Sequence, residues 1–522
     1  MIGVGLLCVA CLAQGALWAR TWEDPTNFKM SILYVWPAAL FSLLIWWAFF
    51  SGWSADVRFG SVAAGLVCVI GFFVLFRLER FDGDMTPTRI SFRWSITPDQ
   101  QARQYLEQQP AAAPDSSAAA AVNEPLVADK NDWPGYRGPA RNGIIRGVKL
   151  RTDWSVRPPK NLWRHPVGRA WSSFAVIGDF AFTQEQRDEN EAVVAYRFSD
   201  GQQVWTHLDK ARFAASAAQG GIGPRATPQF DNGKLYTLGA TGILNCLDAR
   251  TGQRIWSTDI LKDAGTPGKP FPNLGWGMAG SPLIVDQLVI VNPGGLNGNS
   301  VAAYDKESGR KIWSGGDRPA TYASPSIATL QGQRVVLTPV ADGLTAHSLK
   351  TGRELWFFPL TNSAKVCGAL PVVLNGESLL FGIGYGEGTV RLKVTRTGED
   401  WSVSPTWHSN RFRPKFNDFV VRDGYAYGLD DGTLTCLNVE TGKIQWKSGR
   451  YGYGQVLLLD DVLLIVSEDG DIVQVPAQPT KPEELARFTA LEKWITWNQP
   501  VLIRGKLLVR NAHEAACFDL EE

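Results

Sequence analysis

Side chains able to do chemistry are sparse in this chain and poorly spaced for it. The five histidines, His165, His207, His347, His408 and His513, lack the short separations that bring two imidazoles onto one metal ion, so they read as structural or surface residues. Cys246, Cys436 and Cys517 occupy one repeated position in separate segments, as expected of small apolar residues on a buried strand, and Cys367, which lies between them in sequence, falls outside that pattern. Gly382-Ile-Gly384-Tyr-Gly386-Glu-Gly388 imitates a dinucleotide fingerprint, yet it lies between two strand-like runs and opens no helix, so it reads as a glycine-rich hairpin. No Gly-x-Ser-x-Gly elbow, Walker loop or HExxH pair occurs. One scattered set is of more interest: Trp171, Ser172, Arg225, Trp276, Tyr322, Lys415, Asn417, Asp418, Trp497 and Asn498 each fall just ahead of a strand-like run. Aromatics, cations and amides gathered in one ring would suit a planar or anionic ligand, or a peptide segment. Asp418 is the only carboxylate among them, which leaves no acid pair for glycoside hydrolysis.

These residues can meet only if the fold brings their segments together, and a repeat does so. Leu247-Asp248-Ala-Arg-Thr251-Gly252-Gln-Arg-Ile255-Trp256 is echoed by Tyr304-Asp305-Lys-Glu-Ser308-Gly309-Arg-Lys-Ile312-Trp313, by Leu349 to Trp356 and by Leu437 to Trp446, with a looser copy at Tyr196 to Trp205. Each copy is a strand, a turn and a strand: Asp or Asn folds onto the turn backbone, and Gly accepts a positive φ. A second hairpin precedes each copy, so a unit holds four strands. The marker positions Trp163, Trp205, Trp256, Trp313, Trp356, Trp407, Trp446 and Phe488 lie 39 to 57 residues apart. That spacing predicts an eight-bladed β-propeller of four-stranded antiparallel blades over 133–522, with blades five and seven degenerate. Leu162-Trp163 is expected to supply the missing outer strand of the last blade and close the ring. The segments before the innermost strands then converge at one mouth of the axial channel.

Ahead of the propeller, three nearly uncharged stretches, about 2–19, 31–53 and 59–76, predict three transmembrane helices, with tryptophans toward their ends. Residues 81–132 read as a low-complexity linker with a short polar helix near Pro98. The balance of 52 Lys and Arg against 51 Asp and Glu gives no global electrostatic case for nucleic acid. Six basic residues flank the spans on the propeller's side and one on the other, which by the positive-inside rule points to a cytoplasmic propeller.

The Asp-x-x-Thr-Gly-x-x-x-Trp copies resemble the pyrroloquinoline quinone (PQQ) repeat of the quinoprotein alcohol dehydrogenase-like superfamily. Trp133-Pro-Gly-Tyr-Arg-Gly-Pro139, Trp171-Ser-Ser-Phe174, Gly223-Pro-Arg-Ala-Thr-Pro228 and Phe416-Asn-Asp-Phe419 more closely resemble the membrane-anchored PQQ-binding-like propeller repeat proteins. The resemblance implies an exported propeller on the periplasmic side of a multi-pass inner-membrane anchor, against the basic-residue count. It also implies a choice of function. Quinoprotein dehydrogenases hold PQQ and Ca²⁺ on the axis with acidic and Asn ligands and often adjacent cysteines, which this propeller lacks. The expectation is therefore a non-catalytic scaffold without cofactor, binding a protein or small ligand at its mouth, with a PQQ–calcium dehydrogenase as the alternative.

Overall fold

Each copy of the repeat closes a hairpin between the third and fourth strands of a sheet. In the copy at Asp248 the carboxylate accepts the amides of Arg250 and Thr251 at 3.0 and 2.9 Å and the Thr251 hydroxyl at 2.9 Å. Gly252 follows at φ +71°, in the left-handed region. The structure, a computed structural model, describes residues 9–14, 25–81, 87–108, 126–214, 220–266 and 275–521.

Eight sheets follow one another along the chain. Their inner and outer strands are Ala175–Ile177 and Gln203–Asp209 in blade one, Gln229–Asp231 and Arg254–Asp259 in blade two, and Leu283–Val285 and Lys311–Gly315 in blade three. Blade four runs from Ser326–Leu330 to Glu354–Pro359, blade five from Val372–Asn375 to Asp400–Ser409, blade six from Val420–Arg422 to Ile444–Arg450, and blade seven from Gln455–Leu459 to Ala486–Thr489, with Ile144–Ile145 pairing parallel to Gln455–Leu459 as a fifth strand where four were expected. Blade eight has three late strands, Val501–Ile503, Lys506–Arg510 and Glu514–Asp519, and takes its fourth, Lys160–Pro166, from the start of the domain. Trp163 pairs there with Cys517, so the ring closes as the sequence predicts.

The register explains the small residues opposite each tryptophan. Ala195, Cys246, Ala303, Ala346, Cys436 and Cys517 face the marker Trp in blades one, two, three, four, six and eight, where a larger side chain would compete with the indole for the same space. Each indole then leans on the next blade. Trp163, Trp205, Trp256, Trp313, Trp407 and Trp446 donate Nε1–H to a carbonyl of the following blade's turn region at 2.8 to 3.1 Å. A Cβ at Gly252 would stand 2.4 Å from the Trp205 ring, so the glycine is required by close approach as well as by its φ. Blade five breaks the pattern. Its outer strands run ten residues each, its hairpin turns at Gly398, Arg391 faces Trp407, and the Trp356 indole N–H finds no acceptor among the described residues.

The chain divides into two units, one through Thr97 and one holding the propeller. The first contains helices Pro25–Phe50 and Ala55–Leu75 and a hairpin of Phe76–Phe81 with Pro87–Phe92. Among the described residues one helix, Ala55–Leu75, is long and apolar enough to cross a bilayer. The expected span at 31–53 falls on helix Pro25–Phe50, which ends before Ser51-Gly52 and in which the described apolar stretch is Val35–Phe50. The expected span at 2–19 lies outside the described residues apart from 9–14. Three predicted crossings are thus corrected to one candidate, and a multi-pass anchor is not established. In the propeller unit, helix Pro98–Gln108 packs at the closing seam: Tyr105 stacks on His165 at 5.1 Å, His165 stacks on Trp163, and Asp99 pairs with Arg169 at 2.8 Å.

Candidate functional site

The segments before the inner strands do converge, and the first thing they build is a belt of hydrogen bonds from blade to blade. The amide of Ser173 donates to the Thr227 hydroxyl at 3.2 Å, that of Thr227 to Ser281 at 2.8 Å, and that of Ser281 to Ser324 at 2.9 Å. Leu370 N–H donates to Asp418 at 2.6 Å. Four of the ten sequence-predicted residues are engaged in this way. Ser172 accepts the Gln184 amide at 3.3 Å, Asn498 donates to the Ser172 carbonyl at 2.8 Å, Asn417 accepts the Lys415 amide at 3.0 Å, and all, with Asp418, are at most 2% exposed. Each satisfies backbone groups that burial would otherwise strand.

Above the belt lies an aromatic cluster. Trp276 stacks on Tyr322 at 4.8 Å and meets Phe416 at 5.6 Å; Phe416 meets Trp497 at 4.8 Å, and Trp497 meets Trp171 at 4.9 Å. Phe416 also contacts Tyr453 at 5.6 Å and Tyr385 at 6.3 Å. Its ring is therefore a hub joining blades three, five, seven and eight from blade six. The four aromatic residues predicted from sequence are brought together, while Phe416 and Tyr385 were missed. Phe416 was visible only inside a family-like motif, and Tyr385 only inside the glycine-rich hairpin, where nothing local marks either as facing the axis.

The two cations are placed differently from a pair facing across an open channel. The Lys415 ammonium sits 4.4 Å from the Tyr453 ring centre, 4.6 Å from Tyr385 and 5.5 Å from Phe416, with the side chain 1% exposed. Arg225 turns back on its own loop, donating to the carbonyls of Gly221, at 2.9 Å, and Gly223, and lying over Phe213 at 4.7 Å. Burial pulls its guanidinium down to about 10 and pushes the Tyr322 hydroxyl up to about 12.

Sequence reasoning marked Trp133–Pro139 only as a family-like motif and missed its place: the segment Trp133–Gly143 threads the axis. Trp133 exchanges backbone hydrogen bonds with Val176 of blade one, and the carbonyl of Pro134 accepts Phe230 N–H of blade two. Arg141 donates to the carbonyls of Ser281, Pro282 and Pro325 at 3.2, 2.9 and 3.3 Å, joining blades three and four. Arg137 pairs with Asp418 at 3.2 Å, Tyr136 donates to the same carboxylate at 2.6 Å, and the Gly143 carbonyl accepts Leu458 N–H of blade seven. Arg137 and Arg141 hold φ of +59° and +52°, a costly conformation for residues with a Cβ that these hydrogen bonds sustain. Burial lowers Arg141 to about 10 and raises Tyr136, the latter further through Asp418.

The one axial carboxylate among the predicted residues, Asp418, is taken by Arg137, Tyr136 and an amide, and no group of three or more His, Cys, Asp or Glu able to hold a metal occurs among the described residues. Burial pushes the thiols of Cys246, Cys367, Cys436 and Cys517 up to about 12, so none is poised as a thiolate.

Repeat, register and closure define the class: an eight-bladed β-propeller, whose repeats are similar to the PQQ type of the quinoprotein alcohol dehydrogenase-like superfamily. Residues 189–448 match the family model described as outer membrane protein assembly factor BamB. The chain is 25% identical over 295 residues to the outer membrane protein assembly factor BamB of Burkholderia pseudomallei, covering 52% of this chain and 66% of that one. It is 23% identical over 293 residues to the quinohemoprotein alcohol dehydrogenase ADH-IIG of Pseudomonas putida, covering 53% of this chain and 35% of that one. It thus spans just under two thirds of the first relative and about a third of the second. The crystal structure of BamB from Moraxella catarrhalis superposes with a TM-score of 0.48 at 16% identity, over 69% of this chain and 97% of that one.

Proposed function

We propose that this protein is a membrane-tethered, non-catalytic propeller that acts as a scaffold, binding a protein or small ligand at the aromatic mouth and using neither PQQ nor calcium. The observation that carries this reading is that the chain fills its own axis. Phe416 touches rings from four other blades, and Arg137, Arg141 and Tyr136 occupy the space beside Asp418, the carboxylate a divalent cation would need. The partly exposed rings of Trp171, Trp276, Tyr322 and Trp497 remain as a recognition surface. Similarity to proteins named as outer membrane assembly factors supports a scaffold, and similarity to a quinohemoprotein dehydrogenase supports the enzymatic alternative.

The deciding experiment adds PQQ and Ca²⁺ to the purified chain and follows quinone absorbance and dye-linked alcohol oxidation. No saturable uptake is expected; stoichiometric uptake with turnover overturns the reading. On topology the proposal places the propeller on the periplasmic face of the inner membrane, tethered through Ala55–Leu75. A C-terminal alkaline phosphatase fusion is then active, and a fusion active only as a cytoplasmic reporter reverses the placement.

A further inference from the structure

Blade five breaks the repeat, and beside it the outer surface departs from the regular ring. A groove of about 710 Å³ opens between blades three and four, walled on its far side by Arg396 from the long hairpin of blade five. Leu288, Ile312 and Leu349 supply apolar floor, with Ile312 42% exposed, while Arg334, Lys350 and Arg396 supply three cations against one carboxylate, Asp286. Arg334 satisfies that carboxylate, donating to both its oxygens at 3.1 and 2.9 Å. Lys350 is exposed and makes no ion pair or hydrogen bond among the described residues. Arg396 is braced by Trp401 at 5.3 Å and by the Gly398 carbonyl at 2.7 Å, and pairs with Glu399 at 3.1 Å; Arg353 also approaches Glu399, at 3.7 Å. The lining therefore keeps a net positive charge beside exposed aliphatic surface.

A free phosphate would use the cations and leave Ile312 wet, whereas a polypeptide covers both. The backbone points the same way, because Lys311–Gly315 is the outermost strand of blade three and its outer edge has no strand partner among the described residues. An extended segment laid along that edge can hydrogen-bond to it, seat one apolar side chain and present carboxylates to the rim. We propose that this groove docks an acidic, extended segment of a partner protein, with an apolar side chain on Ile312 and carboxylates against Lys350 and Arg396. The site is separate from the mouth and does not depend on what the mouth binds.

The test uses the full chain in detergent and a short fluorescein-labelled peptide alternating Glu and Leu, read by fluorescence anisotropy. Saturable binding is expected, weakened about tenfold by Lys350→Glu and by Ile312→Asp, and falling as salt is raised. Lys350→Glu leaves the melting temperature unchanged, because the side chain holds nothing in place. Peptides alternating Gln and Leu, or Lys and Leu, bind at least about tenfold more weakly. Equal binding of the Gln–Leu peptide, or insensitivity to both substitutions, overturns the proposal. So does tripolyphosphate binding that depends on Lys350 while the Glu–Leu peptide does not bind, which would make the groove a simple anion site. Neither outcome bears on PQQ uptake, so each reading can fail alone.

Discussion

Glu191 should make the propeller less stable as pH rises through neutrality, and removing its charge should abolish that loss. It stands opposite Asp209 in blade one, 4% exposed, with the Thr241 hydroxyl donating to one carboxylate oxygen at 2.9 Å and the other oxygen without a partner. Burial, reinforced by Asp209 and only partly offset by Thr241, raises its pKa from 4.5 to about 7. Between those values the folded chain holds a proton that the unfolded chain has released. The stabilisation is therefore complete below pH 4.5 and lost as pH climbs through 7. At about 1.4 kcal/mol per unit the loss amounts to about 3 kcal/mol. An unfolding entropy of about 2.1 cal/mol/K per residue over roughly 390 residues converts this to about 4 °C. Glu191→Gln mimics the protonated acid and can still accept from Thr241. Thermal melts followed by tryptophan fluorescence should therefore superimpose for the two proteins at pH 4.5, with the variant melting about 4 °C higher at pH 8.5. A gap of the same size at both pH values, or a variant less stable at pH 8.5, refutes the argument, because either would mean that packing rather than ionisation is being measured.

Two further outcomes follow from the repeat. Gly252→Ala forces a Cβ to within 2.4 Å of the Trp205 ring at a φ of +71°, and should lower stability by roughly 2 to 4 kcal/mol, visible as an earlier melt, whereas alanine at Gly178, with open space around it, costs only its backbone strain. The thiols of Cys246, Cys367, Cys436 and Cys517, pushed up to about 12, should stay unreactive to a disulfide reagent at pH 8 in the native chain and react together in guanidinium; a fast-reacting propeller thiol would contradict the burial assigned to them.

The ring was legible because its determinants are local and recur. An Asp that folds onto its own turn, a Gly at positive φ and a Trp that reaches the next blade are specified within ten residues, so each copy reports the same sheet and the count of copies reports the ring. Closure was legible for the same reason, since Trp163 carries the outer-strand signature without the strands that should precede it. The mouth was legible as a set of positions and much less as a set of roles. Ser172, Asn417, Asp418 and Asn498 have the side chains of a binding site and spend them on backbone groups of adjoining segments. Arg225 folds onto its own loop. Which of two acceptors a polar side chain chooses depends on partners far away in sequence, and no local pattern encodes it. The membrane segments were less legible: lack of charge over 31–53 does mark a helix, Pro25–Phe50, but among the described residues only Ala55–Leu75 is both long and apolar enough to cross a bilayer.

Trp133–Gly143 shows why departures from a repeat are informative about function. A symmetric ring of near-identical blades offers the same surface at every step and cannot by itself prefer one partner or orientation. Asymmetry has to be added. Here it enters twice, once where a non-repeat segment crosses the axis and ties Arg137 and Arg141 to blades three, four and six, and once where blade five exchanges its short turn for a long hairpin. The first departure engages the Asp418 carboxylate with Arg137 and Tyr136. The second leaves the Trp356 indole N–H without an acceptor among the described residues and raises Arg396 beside an exposed isoleucine. A local rule broken at a cost in stability is what a functional surface leaves behind. On that argument the groove proposed beside blade five adds to the mouth a second surface, one whose specificity the repeat alone cannot supply.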